Sequence, residues 1–173
     1  FIREKGTNKQ SFLMDNKTRG FYEYETIGSS FVQSNILGGL AVSQLSKLEW
    51  ITAERTKIAK QYLKGLADLP NIGFVRLTEK AVTNWHIFGI LVPPEHKYWV
   101  MDALRAEGVM ANVHYTPLHR NKFYAGLGSD EELRGSMQFF GRLLRLPIYP
   151  SLNLEEREKI VVAVRKVIGC LNE

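Results

Sequence analysis

Val109-Met110-Ala111-Asn112-Val113-His114-Tyr115-Thr116-Pro117-Leu118-His119 is the stretch around which this chain is organised. It follows Gly108, a residue type that tolerates the left-handed backbone found where helices stop. Val109, Ala111 and Val113 then alternate with Met110 and Asn112, the period of two that marks a half-buried strand. Pro117 anchors a turn at the far end. Two imidazoles and a phenol fall within six residues, groups that can donate, accept or stack. The stretch therefore reads as a strand running into a turn that carries a polar site, since loops on a rigid base are where binding groups concentrate.

Working outward, Glu95 to Glu107 has the pattern of an amphipathic helix that turns Trp99, Val100, Ala103 and Leu104 inward and stops at Gly108. Gly73 to Leu77 and Asn84 to Val92 read as two more strands, the second closed by Pro93-Pro94. Downstream, Ser129-Asp130-Glu131-Glu132 is a capping box, opening a helix that buries Leu133, Met137, Phe140 and Leu144. Leu146 to Pro150 is a stiff connector. Asn153 with Glu156 caps a last helix that buries Ile160, Val161, Val164, Ile168 and Leu171.

Upstream, apolar residues from Leu37 to Leu66 recur at three- and four-residue steps behind Ser34, a suitable N-cap. One helix of that extent would be about 50 Å long, too long for a small domain to cover alone. Gly38-Gly39 near its start marks either the close approach of another backbone or a kink. Residues 1–33 are polar with an aromatic knot at Phe21, Tyr22 and Tyr24, and read as an extended arm that packs on something else. The expected class is α+β: a three-stranded sheet covered by helices, with a long N-terminal helix and an extended arm. The arm is residues 1–33; the helix and small domain are residues 34–173.

The 173 residues, 45% apolar and 24% charged, suit one ordinary hydrophobic core. The first residue is Phe1, which suggests a piece of something longer. Basic side chains outnumber acidic ones, 23 to 18, but they are dispersed and no run of like charge or aromatic-basic ladder appears. A solvated surface is favoured over a nucleic-acid interface. The single cysteine, Cys170, excludes an internal disulfide and points to a cytoplasmic setting. It reads as a small packed hydrophobe. No stretch is apolar enough for a membrane-spanning helix.

Of the four histidines, no two have metal-ligand spacing on a helix, so no metal is expected. His96 reads as solvated and His86 as a satisfied core residue on its strand. His114, Tyr115 and His119 flank the turn and are the candidate site; Gly126-Leu127-Gly128 is only a turn, without the strand and third glycine of a dinucleotide loop. No nucleophile motif or acid-base carboxylate pair stands out.

Six separated segments carry a resemblance over the whole chain: Ile2-Arg3-Glu4-Lys5-Gly6-Thr7-Asn8, Ile27-Gly28-Ser29-Ser30-Phe31, Ala41-Val42-Ser43-Gln44-Leu45, Asn84-Trp85-His86-Ile87-Phe88, His114 to His119, and Arg142 to Pro147. In that order they resemble the C-terminal part of the DegT/StrS nucleotide-sugar aminotransferases, most closely the TDP-4-keto-6-deoxyhexose transaminases of surface-polysaccharide and lipopolysaccharide pathways. The resemblance implies the small C-terminal domain of a fold-type I pyridoxal 5'-phosphate enzyme. Such an enzyme is an obligate homodimer with shared active sites, moving an amino group from glutamate to a nucleotide-linked keto sugar. It implies that the Schiff-base lysine lies in a large domain preceding Phe1, so that no catalytic lysine is in this chain and the chain alone is inactive. It places Ser29 and Ser30 at the phosphate of the partner's cofactor; many relatives carry an asparagine where this chain has Val32. It places Tyr115 and His119 at the sugar end of the pocket. Arg19 and Tyr24, in the arm, reach the partner's nucleotide or tether the interface. The rival reading is a stand-alone interaction module without a cofactor.

Overall fold

Leu143-Leu144-Arg145-Leu146 forms the third strand of the sheet, in a computed structural model that describes residues 5–7 and 23–172. Three of its four residues are buried, and it pairs antiparallel with Phe88–Leu91 in the register Phe88↔Leu146 to Leu91↔Leu143. We number the strands β1 (Gly73–Phe74), β2 (Phe88–Leu91) and β3 (Leu143–Leu146); β1 pairs antiparallel with the other edge of β2. The helices are α1 (Asn35–Leu45), α2 (Leu48–Leu66), α3 (Lys97–Ala106), α4 (Arg134–Arg142) and α5 (Leu154–Gly169). The class is α+β with a three-stranded antiparallel sheet, as the sequence implies.

The third strand is not the one the sequence points to. Val109 and Ala111 are buried as their alternation requires, but the segment meets the sheet only at a single bridge, Asn112↔Arg145. The backbone N–H of Asn112 donates to Arg145 and that of Arg145 to Asn112. Beyond Val113 the chain leaves the sheet toward Pro117, so the site sits on a loop beside β3 rather than on a strand. The helix expected to run to Leu144 ends at Arg142 for the same reason. Leu144 is buried as a strand residue, whereas none of the residues of α4, Met137 and Phe140 included, is fully buried, and Leu133 precedes the helix and is exposed.

The chain divides into two compact units, Phe1–Leu48 and Glu49–Glu173. In the first, Ser34 caps α1 by accepting the N–H of Leu37, as expected. The single long helix does not form: the helical run is interrupted for two residues at Ser46-Lys47, between α1 and α2. A side chain added at Gly38 or Gly39 would meet nothing within 4 Å. Gly6, by contrast, has φ +76°, and its missing side chain leaves room for the carbonyl of Thr26. Its own carbonyl accepts the N–H groups of Glu25 and Thr26, and Lys5 donates to Ser29. The segments around Gly6 and Ser29 are thereby laid side by side.

The second unit holds the core. Ile58, Ala59, Tyr62 and Leu66 of α2, Val100 and Leu104 of α3, and Ile160, Val164 and Ile168 of α5 close on Phe88, Ile90 and Leu144 of the sheet. Each such side chain contributes about 1.5–3 kcal/mol when removed from water. Tyr62 stands edge-on to Phe88 and donates its hydroxyl to the carbonyl of Pro147; burial pushes its ionisation far up. Gly108 ends α3 at φ +81°, with Val109 N–H returned to Leu104, the expected left-handed stop. Asn153 and Glu156 make the expected reciprocal capping box on α5; Val161 on it and Leu171, in the 3₁₀ turn that follows it, are only partly buried. On α3 one inward assignment fails. Trp99 is half exposed, and the buried residue at the start of α3 is Lys97, whose ammonium lies over the ring of Phe140 and donates to the Phe140 carbonyl. A lysine stem buries as hydrocarbon when its head finds an acceptor. Cys170 is exposed rather than packed, and its thiol donates to Lys166.

Candidate functional site

Pro117 enters a single 3₁₀ turn, Leu118–Arg120, which directs His119 back toward the body of the domain. The side chain of His119 is only 6% exposed, and its Nε2 lies 2.8 Å from Oδ1 of Asp130. Arg120 donates from Nε to the same oxygen at 3.1 Å and from its terminal nitrogen to Oδ2. The Arg120 guanidinium, and after it His119, holds the Asp130 carboxyl down at about 2. An ionised carboxylate only accepts hydrogen bonds. The proton of a neutral His119 therefore sits on Nε2, and Nδ1 remains as a lone-pair acceptor.

The segment that supplies Asp130 is the expected capping box. Ser129 and Glu132 exchange both of its hydrogen bonds, but the box closes a turn, and α4 starts only at Arg134. Because the box uses Ser129 and Glu132 alone, Asp130 is released for the tertiary contact. That was the available signal for a residue the sequence reading missed.

Tyr115 is 69% exposed, with its ring stacked at 4.0 Å on that of His114, across a cis peptide bond. His114 Nδ1 lies 3.4 Å from Arg145 Nη1, and since a guanidinium only donates, the imidazole nitrogen accepts. Burial first, then the charges of Arg145 and His86, hold His114 below the ordinary histidine value, so it is neutral at neutral pH. His114, Tyr115 and His119 all line one cleft of about 510 Å³ whose remaining wall is mostly apolar, with Tyr124, Leu127, Leu133 and Phe139 beside Ser136. A cleft that is mostly apolar with a few converging polar groups is the usual form of a small-molecule site.

His86 is not a core residue. It is exposed, two residues before β2 begins, with both its backbone N–H and Nδ1 at 3.1 Å from Asn84 Oδ1. Trp85, at φ +49°, takes the inward place instead and packs on Phe88. In the first unit, Ser29, Ser30 and Tyr24 are exposed; Tyr24 pairs with Thr7. Arg19 lies outside the described residues. Exposed hydroxyls such as those of Ser29 and Ser30 are a residue type that suits phosphate oxygens. The one buried lysine among the described residues, Lys97, is held by the Phe140 carbonyl. No cluster of three metal-ligating side chains occurs among the described residues, and no helix among them is long and apolar enough to cross a membrane.

Comparison with known proteins agrees with this architecture. Residues 3–165 match the family model for the DegT/DnrJ/EryC1/StrS aminotransferases. Among solved structures, the chain superposes on the putative sugar aminotransferase Spr1654 of Streptococcus pneumoniae, in its PMP-form, with TM-score 0.88 at 22% identity, covering 98% of this chain and 44% of that one. Helicobacter pylori PseC, an aminotransferase involved in the biosynthesis of pseudoaminic acid, gives 0.83 at 24% identity over 98% of this chain and 44% of its own. S. venezuelae DesV, in complex with a ketimine intermediate, gives 0.81 at 27% identity over 92% of this chain and 43% of its own. The chain thus spans less than half the length of these structures.

Proposed function

This chain belongs to the DegT/DnrJ/EryC1/StrS aminotransferase family, and we propose that it is the C-terminal part of a pyridoxal-phosphate enzyme that moves an amino group from glutamate onto a nucleotide-linked 4-keto-6-deoxy sugar. The observation that carries this reading is the cleft in which Tyr115 and an Asp130-oriented His119 meet an apolar wall. A sugar ring presents apolar C–H faces and a rim of hydroxyls, and the cleft offers a surface and polar groups for both. Pyridoxal phosphate, named in another Spr1654 structure as its PLP-form, supplies the carrier for the amino group.

This chain's own residues bind and orient. His119 Nδ1 accepts a sugar hydroxyl, and the fixed Asp130 bond keeps the ring from turning away. Tyr115, stacked on His114, offers its hydroxyl at the mouth. The neutral His114 keeps its Nε2–H as a donor. Ser29 and Ser30 hold the phosphate of the partner subunit's cofactor in a homodimer with shared sites, and Arg19 and Tyr24 lie along the same crossing arm. No residue here takes the part of the cofactor-holding lysine, so the chain alone does not transaminate. The single cysteine keeps the cytoplasm as the proposed setting, and cell-surface polysaccharide as the proposed destination of the product.

In the full-length enzyme, His119→Ala is expected to raise KM for the keto sugar about tenfold or more, the loss of one or two polar contacts. Tyr115→Phe is expected to do so by a smaller factor. Both variants should fold, since neither side chain belongs to the core. Wild-type kinetics in both would remove the cleft from the substrate path.

A further inference from the structure

Beside the sugar cleft lies a second, smaller recess of about 180 Å³ that the proposed reaction leaves without a role. Its wall is formed by three segments: His86 ahead of β2, Asn112 at the bridge, and Arg145 on β3, with Met110 and Ile148 among its apolar neighbours. Asn112 and Arg145 are held by backbone pairing, in which they exchange both N–H···O bonds, and His86 by the side chain of Asn84, which meets its backbone N–H and its ring.

The recess is electrically one-sided. Neither aspartate nor glutamate lines it, and among the described residues no carboxylate pairs with Arg145. Arg120, near the sugar cleft, is by contrast neutralised by Asp130. The side-chain contact of Arg145 is His114 Nδ1 at 3.4 Å, which uses one of its five N–H donors and brings no negative charge. A partly buried guanidinium with donors to spare, an amide at the same wall and room for a few heavy atoms constitute a receptor for anionic oxygens.

We infer that Arg145, with Asn112 and His86, forms a binding site for the anionic oxygens of a carboxylate or phosphate group. Arg145 supplies the fixed charge and a fork of donors, Asn112 an amide N–H, and His86 the far wall. Arg145 also touches His114, which lines the sugar cleft, so an anion seated here is one side chain from Tyr115 and His119. The inference rests on the recess and not on the aminotransferase reading, and it survives if that reading fails.

The test is a titration of the full-length protein with inorganic phosphate and, separately, with glutarate, following the ring resonances of His86 and His114 at constant ionic strength. Saturable millimolar binding of at least one probe is expected, weakened about tenfold or more by Arg145→Met, which keeps the stem and removes the charged fork. His86→Gln is the second variant, used if Arg145→Met does not fold, and should weaken the same binding. His96→Gln, away from the recess, should leave it unchanged. Saturation by phosphate alone assigns the site to a phosphate group, and by glutarate alone to a carboxylate. Absence of saturation by either probe, or binding that the Arg145 and His86 variants leave intact, overturns the inference.

Discussion

Asp130 does more for the site than its exposed position suggests. It fixes the tautomer of His119, binds Arg120 through both oxygens, and is ionised down to about 2 against an ordinary value of 3.8. A carboxyl whose folded value is depressed adds stability that is fully present above its ordinary value. That stability is lost as pH falls through the folded value. The melting temperature of the wild type should therefore drop relative to Asp130→Asn between about pH 4 and pH 2, by a small amount because the group is solvent-exposed. Parallel curves across that window would show that the pairing carries no linkage. Tyr115 and His119 were legible in the sequence because their types are rare at the end of an apolar alternation. Asp130 was not, because it lies eleven positions beyond His119, along a path that no local pattern specifies. Lys97 was illegible for a related reason. Only the position of Phe140, far along the chain, makes its burial affordable.

Among the elements, α2 meets α5 at Gly65, where an added side chain would stand 2.8 Å from Val161 Cγ1 and 3.3 Å from Cγ2. Alanine is intrinsically better in a helix by about 1 kcal/mol, but the overlap is with a β-branched residue that has little rotamer freedom. Overpacking costs about 1–3 kcal/mol, so the clash wins. Gly65→Ala should lower stability by about 1 kcal/mol in denaturant unfolding, and adding Val161→Ala should relieve the overlap. A stabilised single variant would mean that the helices separate without cost. Two of the three capping signals act as their residue types imply, Ser34 and the Asn153–Glu156 box, whereas the Ser129–Glu132 box closes only a turn ahead of α4. The third strand was not readable. Leu143-Leu144-Arg145-Leu146 lacks β-branched residues and directly continues a helical pattern, so only its pairing with β2 identifies it as a strand. The alternation in Val109 to Val113 was read correctly as half-buried, but alternation cannot show how many partners a segment finds.

For the molecule as a whole, helix α1 shows how much of the protein's surface awaits a neighbour. Ile36, Leu37, Leu40, Val42 and Leu45 are all exposed and none of its residues is buried, a composition that suits an interface better than open water. The chain also spans less than half of the structures it resembles. The exposed apolar face of α1 is what the proposed homodimer, in which one subunit's Ser29 and Ser30 serve the cleft of the other, would cover. Mixing two impaired full-length variants, assayed with the keto sugar well below its KM so that each parent alone is at about a tenth of wild type or less, tests that claim most directly. In a hybrid of Ser29→Ala/Ser30→Ala with His119→Ala, a shared arrangement leaves one cleft with an intact His119 and an intact pair of serines from its partner, and the other with neither. Co-expression should therefore restore activity to about a quarter of wild type, since half the dimers are hybrid and half their sites are whole. Mixtures no more active than the parent variants would place the serines and His119 on the same subunit's site, and the crossing arm would lose its role.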